Sequence, residues 1–123
     1  MKILIIIPAY NEAECIETVV DNLTENYPQY DYVIINDGST DDTRKICARR
    51  HFNFMDLPVN TGLSGAIKSG MRYANYYGYD HVLQLDGDGQ HDPAFIEDMI
   101  KEMESTDCDI VIGSRFKTKK KPF

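Results

Sequence analysis

The chain contains no cysteine pair. Cys15, Cys47 and Cys108 are scattered, and none sits in a C-x-x-C spacing, which argues against a disulfide framework and suits a reducing compartment. Long apolar runs are also missing. Met1-Lys2 leads into Ile3 to Ile7 before Pro8 interrupts, too short for a signal peptide or a membrane span, so a soluble, cytoplasmic chain is expected. There is no excess of basic charge: 20 acidic against 13 basic side chains give a net charge of −7. Non-specific nucleic-acid binding needs a basic footprint, and the acidic balance argues against it, so no nucleic-acid partner is expected. The same imbalance means that a phosphate-bearing ligand would need a local cation. No Ser–His–Asp order or Cys–His pairing stands out, so a covalent nucleophile is not indicated. Finally, Pro8-Ala9-Tyr10-Asn11-Glu12, the turn after the first apolar run, has no glycine. A dinucleotide oxidoreductase cradles its pyrophosphate on a glycine-rich turn at that place, and a dehydrogenase is therefore set aside.

What is present is an ordinary soluble composition, 42% hydrophobic and 27% charged over 123 residues, a one-domain length that can bury a core. Short apolar runs alternate with helical periodicity. Ile3–Ile7 reads as a strand buried on both faces, and Ile16, Val19, Val20 and Leu23 follow at helical spacing. Tyr32–Ile35 is a second strand. Ser39 or Thr40 is expected to cap a helix running through Arg50, with Asp41 and Asp42 in its first turn. Phe52–Met55 is a weaker third strand. Leu63, Ala66, Ile67, Gly70, Met71 and Ala74 form a helical stripe closed by Tyr77-Gly78, and Gly70 reads as a point of close helix–sheet packing. His81–Leu85 is a fourth strand. Pro93 opens a helix carrying Phe95, Ile96, Met99, Ile100 and Met103 on one face, and Asp109–Ile112 is a fifth strand.

Such alternation predicts an α/β fold, a mostly parallel sheet with helices on both faces. Ligands of these sheets bind beyond the carboxyl ends of the strands. The polar clusters Pro8–Glu12, Asn36–Thr40, Asp86–Asp92 and Gly113–Arg115 fall at those ends. No interior linker marks a boundary, so residues 1–116 are expected to form one domain. The basic run Lys117–Phe123 reads as a solvated, disordered tail.

Asp86-Gly87-Asp88-Gly89-Gln90-His91 is the most informative cluster. Carboxylates at i and i+2 of an extended segment share one side, and two such charges repel unless a cation with a preference for oxygen sits between them. A calcium loop of the EF-hand type fits poorly, because its glycine position falls on His91 and a strand precedes it. The bland alternative is an acidic loop whose Asp92 caps the helix opened by Pro93, but this leaves the two further acids unexplained. His91 reads equally as a ligand or as a solvated loop residue. Asp37, before Gly38, reads either as a ribose contact at a strand end or as a plain turn residue.

Taken in order, Ile7-Pro8-Ala9-Tyr10-Asn11-Glu12, Asn36-Asp37-Gly38-Ser39-Thr40-Asp41-Asp42-Thr43, Asn60-Thr61-Gly62, Asp86-Gly87-Asp88-Gly89-Gln90-His91 and Gly113-Ser114-Arg115 resemble the family 2 glycosyltransferases. The likeness is greatest to the branch of dolichol- and polyprenyl-phosphate sugar synthases. The resemblance implies the Rossmann-like nucleotide-binding half of a GT-A fold and inverting sugar transfer from a UDP- or GDP-sugar to a lipid phosphate, with Mg2+ or Mn2+ as cofactor. Carried over by position, Pro8, Ala9, Tyr10 and Glu12 would line the base and ribose pocket and Asp37 would hydrogen-bond the base. Asp86 would lie near the ribose and metal, Asp88 would be the principal metal ligand with Gln90 beside it, and Arg115 would approach phosphate on the acceptor side. Family members continue well past the fifth strand, so the chain is expected to be a truncated, N-terminal part whose unfinished sheet edge invites self-association. A longer form would work at the inner face of a membrane. The alternative is a non-catalytic sugar-nucleotide-binding or interaction module. A nucleotidyltransferase would show a basic, glycine-rich loop after the first strand, which is absent.

Overall fold

The computed structural model describes residues 2–85, 96–98, 100–101 and 110–112. Five strands, β1 (Ile3–Ala9), β2 (Asp31–Asp37), β3 (Phe54–Leu57), β4 (His81–Gln84) and β5 (Ile110–Ile112), form one sheet in the order β3-β2-β1-β4-β5. All four pairings are parallel. Helices α1 (Ile16–Asn26), α2 (Thr43–Arg49) and α3 (Gly62–Tyr76) provide the crossovers. The α/β reading with helices on both faces holds. Among the described residues, no helix is long and apolar enough to cross a membrane.

The strand period of two divides the core. Ile3, Ile5 and Ile7 face one side, where Ile16, Val19, Val20 and Leu23 of α1, Cys47 of α2, and Ile96 and Ile100 pack. Leu4 and Ile6 face the other side, against Ala66 and Ala74 of α3. Each fully buried isoleucine contributes about 1.5–3 kcal/mol relative to an exposed one. The central strand is buried from Ile3 to Ile7, as expected for a parallel strand covered on both faces.

Helix α3 lies very close to the sheet. A Cβ at Gly70 would come within 2.6 Å of Ile6 Cδ1 and 2.8 Å of its Cγ2, so the close-packing reading of this glycine is borne out. The buried stripe of α3 is narrower than the apolar pattern suggested. Ala66, Gly70 and Ala74 are buried, whereas Leu63 and Ile67 are half-buried and Met71 is exposed.

Two element starts differ from expectation by two residues or more. α2 starts at Thr43, its N-cap position is Asp42 without a side-chain cap bond, and its first turn holds no acid. Asp41 Oδ1 accepts from the Thr43 N–H at 2.9 Å and from its hydroxyl at 2.5 Å, and this side-chain turn delays the helix. β3 begins at Phe54 rather than Phe52, because Phe52 N–H is used by Cys47 O to close α2 and His51 turns the chain with φ 58. Residues 96–98, 100 and 101 are helical, as the Pro93 helix required. Pro93, Phe95, Met99, Met103 and the 117–123 tail lie outside the described residues.

Candidate functional site

The strand order reverses between β1 and β4, which makes the carboxyl ends of these strands the topological switch point, where open α/β sheets bind their ligands. β1 ends there at Ala9, in register with Asn36 of β2, and β2 continues one residue further to Asp37. On the other side Leu85 follows β4, donating its N–H to Ile6 O at 2.9 Å. Asp86, Asp88, Gln90 and Arg115 come after this point and lie outside the described residues. Among the described residues, no group of three His, Cys, Asp or Glu side chains could hold a metal.

The turn after β1 is fastened to the loop after β2. Asn11 takes a left-handed conformation, φ 56, which asparagine tolerates better than most side chains. Its Oδ1 accepts from Thr40 N–H at 2.8 Å, Asp41 N–H at 3.2 Å and the Thr40 hydroxyl at 3.3 Å. In return, three consecutive backbone N–H groups of the β1 turn donate to side chains of the β2 loop. Asn11 N–H reaches Ser39 Oγ at 3.0 Å, Glu12 N–H reaches Thr43 Oγ1 at 3.0 Å, and Ala13 N–H reaches Asp41 Oδ2 at 3.2 Å. A glycine-rich turn would present such N–H groups to a phosphate. Here they are engaged by the protein, so this turn is a shaped wall, and the absence of glycine has a structural reason.

The network continues across the sheet. The Ser39 hydroxyl donates to Asn36 Oδ1 at 2.5 Å, Asn36 Nδ2 donates to Asp56 Oδ1 at 2.7 Å, and Arg44 Nε donates to Asp56 Oδ2 at 2.9 Å. Asn36 is thus a buried polar residue with its hydrogen bonds satisfied, as burial demands. Asp37, only 4% exposed, has Oδ1 held by Thr61 N–H at 2.8 Å and by the Thr61 hydroxyl at 2.6 Å. Asn60 Nδ2 adds a bond to Asp37 O at 3.2 Å. The carboxylate therefore pins the start of α3, whose dipole favours an anion there. Gly38 permits this closure. It has φ +70, and a Cβ would collide with Asn60 N and lie 2.5 Å from Val59 C.

Burial pushes the Asp41 pKa up, but hydrogen bonds from the Thr43 hydroxyl and amide and from the Ala13 amide outweigh it, holding the carboxyl below the ordinary aspartate value. Pro8, Ala9, Tyr10, Glu12 and Asp37 stand together on the β1–β2 rim. Ala9 is buried, Glu12 is half-buried, and Tyr10 projects with 45% of its surface exposed. Sequence reasoning read Ser39 as a candidate helix cap and Asp41 as a first-turn acid, and gave no separate role to Asn11, Thr43 or Thr61. The available signal was chemical: an asparagine in a strand-end turn, and a run of short hydroxyl and carboxylate side chains opposite it.

A family model described as glycosyl transferase family 2 matches residues 4–123. Undecaprenyl-phosphate mannosyltransferase of Micrococcus luteus is 31% identical over 120 residues, covering 94% of this chain and 49% of the relative. UDP-N-acetylglucosamine–dolichyl-phosphate N-acetylglucosaminyltransferase of Methanococcus voltae is 33% identical over 135 residues, covering 96% of this chain and 53% of the relative. The chain thus spans about half the length of these curated relatives. A solved mannosyltransferase of Pyrobaculum calidifontis, in complex with GDP-Man and Mn2+, superposes with a TM-score of 0.70 over 83% of this chain and 32% of its own, at 23% identity. This last likeness is one of fold.

Proposed function

The chain belongs to glycosyl transferase family 2, and from that premise we propose that its rim binds the nucleotide of a nucleoside-diphosphate sugar whose sugar passes to a polyprenyl phosphate. The observation that carries this reading is the fastened β1–β2 rim, which adjoins the switch point between β1 and β4, with Tyr10 projecting and Asp37 buried in it. Pro8, Ala9 and Tyr10 offer an apolar wall and a ring for a base, and aromatic rings accept bases by stacking. Asp37, oriented through Oδ1 by Thr61, keeps Oδ2 for a base N–H, and Glu12 serves the ribose side. Two relatives are named for undecaprenyl-phosphate and dolichyl-phosphate chemistry, which supports a lipid-phosphate acceptor. Such an acceptor is already an anion, so transfer with inversion requires no protein base to deprotonate it. Arg115 would meet the acceptor phosphate. The protein would act in the cytoplasm at the inner membrane face.

The donor set of Asp86, Asp88 and Gln90 is all oxygen, the chemistry that a hard divalent cation selects, and the net charge of −7 calls for such a cation. Asp88 with Gln90 and Asp86 would hold Mg2+ or Mn2+. The ion, when bound, supplies positive charge that stabilises a departing diphosphate.

Calorimetry with UDP and GDP, with and without Mn2+, tests the reading. Metal-dependent binding of one nucleotide is expected, with Asp88→Ala weakening it by about tenfold or more, the usual scale for losing a metal ligand or its close support. Failure of both nucleotides to bind with Mn2+ present sinks the proposal. Turnover of UDP- or GDP-sugars with a polyprenyl phosphate separates an enzyme from a non-catalytic binding module.

A further inference from the structure

We propose that Asn11 and Asp41 are positioning residues of the donor site, forming a two-way clamp that sets the pose of Tyr10 and Glu12. The inference rests on the reading of the rim as the nucleotide site and adds a device to it. Tyr10 and Glu12 flank Asn11 in the chain, so the conformation of residue 11 decides where both side chains point. That conformation is left-handed, which costs a non-glycine residue energy unless its surroundings hold it.

The holding contacts run in both directions. Asn11 Oδ1 gathers three donors from Thr40 and Asp41. Asp41 uses both carboxylate oxygens, Oδ2 for Ala13 N–H and Oδ1 for Thr43. Thr43 in turn accepts from Glu12 N–H and Ser39 accepts from Asn11 N–H. Every backbone N–H from residue 11 to residue 13 is thereby tied to the β2–α2 loop. Apart from Thr43, which is buried, these groups sit at the half-buried or exposed surface, outside both hydrophobic clusters. A surface network of this kind adds modestly to global stability, while removing it frees a loop that a ligand would then have to order, and ordering lowers affinity.

The clamp makes a specific chemical demand. Asn11 participates through an acceptor oxygen, so aspartate can replace it and glycine cannot, although glycine keeps the left-handed backbone without strain. Asp41 must accept on both oxygens, so asparagine, which presents an NH2 to a donor, disrupts it. Calorimetry with UDP and GDP in the presence of Mn2+, together with thermal unfolding, tests this on the whole chain. Asn11→Gly and Asp41→Asn are expected to bind the preferred nucleotide about tenfold more weakly, with Tm changed by only a few degrees, whereas Asn11→Asp stays within about twofold of wild type. Wild-type affinity in Asn11→Gly, or an equal loss in Asn11→Asp, overturns the clamp and leaves the rim reading standing. If Asn11→Gly fails to fold, Ser39→Ala decides, since it removes the acceptor of Asn11 N–H, together with the hydroxyl's bond to Asn36 Oδ1, and leaves Asn11 and Asp41 in place. A loss of about threefold supports the clamp and unchanged affinity refutes it. If the wild-type chain binds neither nucleotide, the reading of the rim itself falls, and the clamp as a donor-site device falls with it.

Discussion

The two ends of the sheet solve the same problem with different chemistry. At the carboxyl end, short side chains (Asn11, Asp37, Ser39, Asp41, Thr43) bond to backbone N–H groups and fasten loops to one another. At the amino end, tyrosines do the tying. The Tyr79 hydroxyl donates to Asp31 Oδ2 at 2.7 Å, Asn53 N–H donates to the Tyr32 hydroxyl at 3.2 Å, and Asn53 Nδ2 donates to the Tyr73 hydroxyl at 3.0 Å. A groove of about 420 Å3 opens there beside Pro28, Tyr30, Tyr32 and Tyr79. Short side chains fix the backbone shape of a loop without filling the space above it. Tyrosines fill space and bond at their tips, which secures strand starts. The difference leaves shaped loops at one end and closed strand starts at the other.

Breaking the rim at its tightest point has the largest expected effect. Gly38→Ala puts a Cβ against Asn60 and Val59 on a backbone with φ +70, and a loss of about 3 kcal/mol or more is expected in urea unfolding. Asp37→Ala comes next. It leaves the Thr61 N–H and hydroxyl without their acceptor, for about 2–3 kcal/mol of stability, and nucleotide binding should fall with it. Tyr79→Phe, at the other end, removes one hydrogen bond to a carboxylate and should lower stability by about 1–2 kcal/mol with nucleotide affinity unchanged. An affinity loss in Tyr79→Phe matching that of Asp37→Ala would erase the distinction between the two ends.

The smallest effect separates the ends by pH. Burial first, then the hydrogen bond and charge of Asp31, push Tyr79 up to about 12. A pKa raised by folding means that its stabilisation is complete below the unfolded value near 10 and fades as pH rises from there toward 12. Asp41 is lowered by folding. Its stabilisation is complete above the unfolded value near 4 and fades as pH falls through the folded value. Stability curves should therefore lose an alkaline component in Tyr79→Phe and an acid component in Asp41→Asn. Unaltered limbs in both variants would contradict these assignments.

Much of the fold was legible because it follows from local periodicity. Ile3–Ile7 and the α1 stripe Ile16, Val19, Val20 and Leu23 are buried as read. Where the start of α2 slipped, a side chain competed with the backbone. Asp41 bonds Thr43 and postpones α2, and Met71 is exposed although its spacing matched the stripe. Asp37 was legible as a strand-end acid, but its bond to Thr61, 24 residues away, was not.

The sequence by itself determined the alternation of buried strands and amphipathic helices and the family, because these reside in residue type and near-neighbour spacing. Only the tertiary structure decided that Asn11 meets Thr40 and Asp41, and that the glycine-free turn is held by borrowed side chains. Those partners are 29 and 30 residues apart. They meet because parallel pairing sets Ala9 beside Asn36, and hydrogen bonds between two loops depend on that register, which no local pattern encodes.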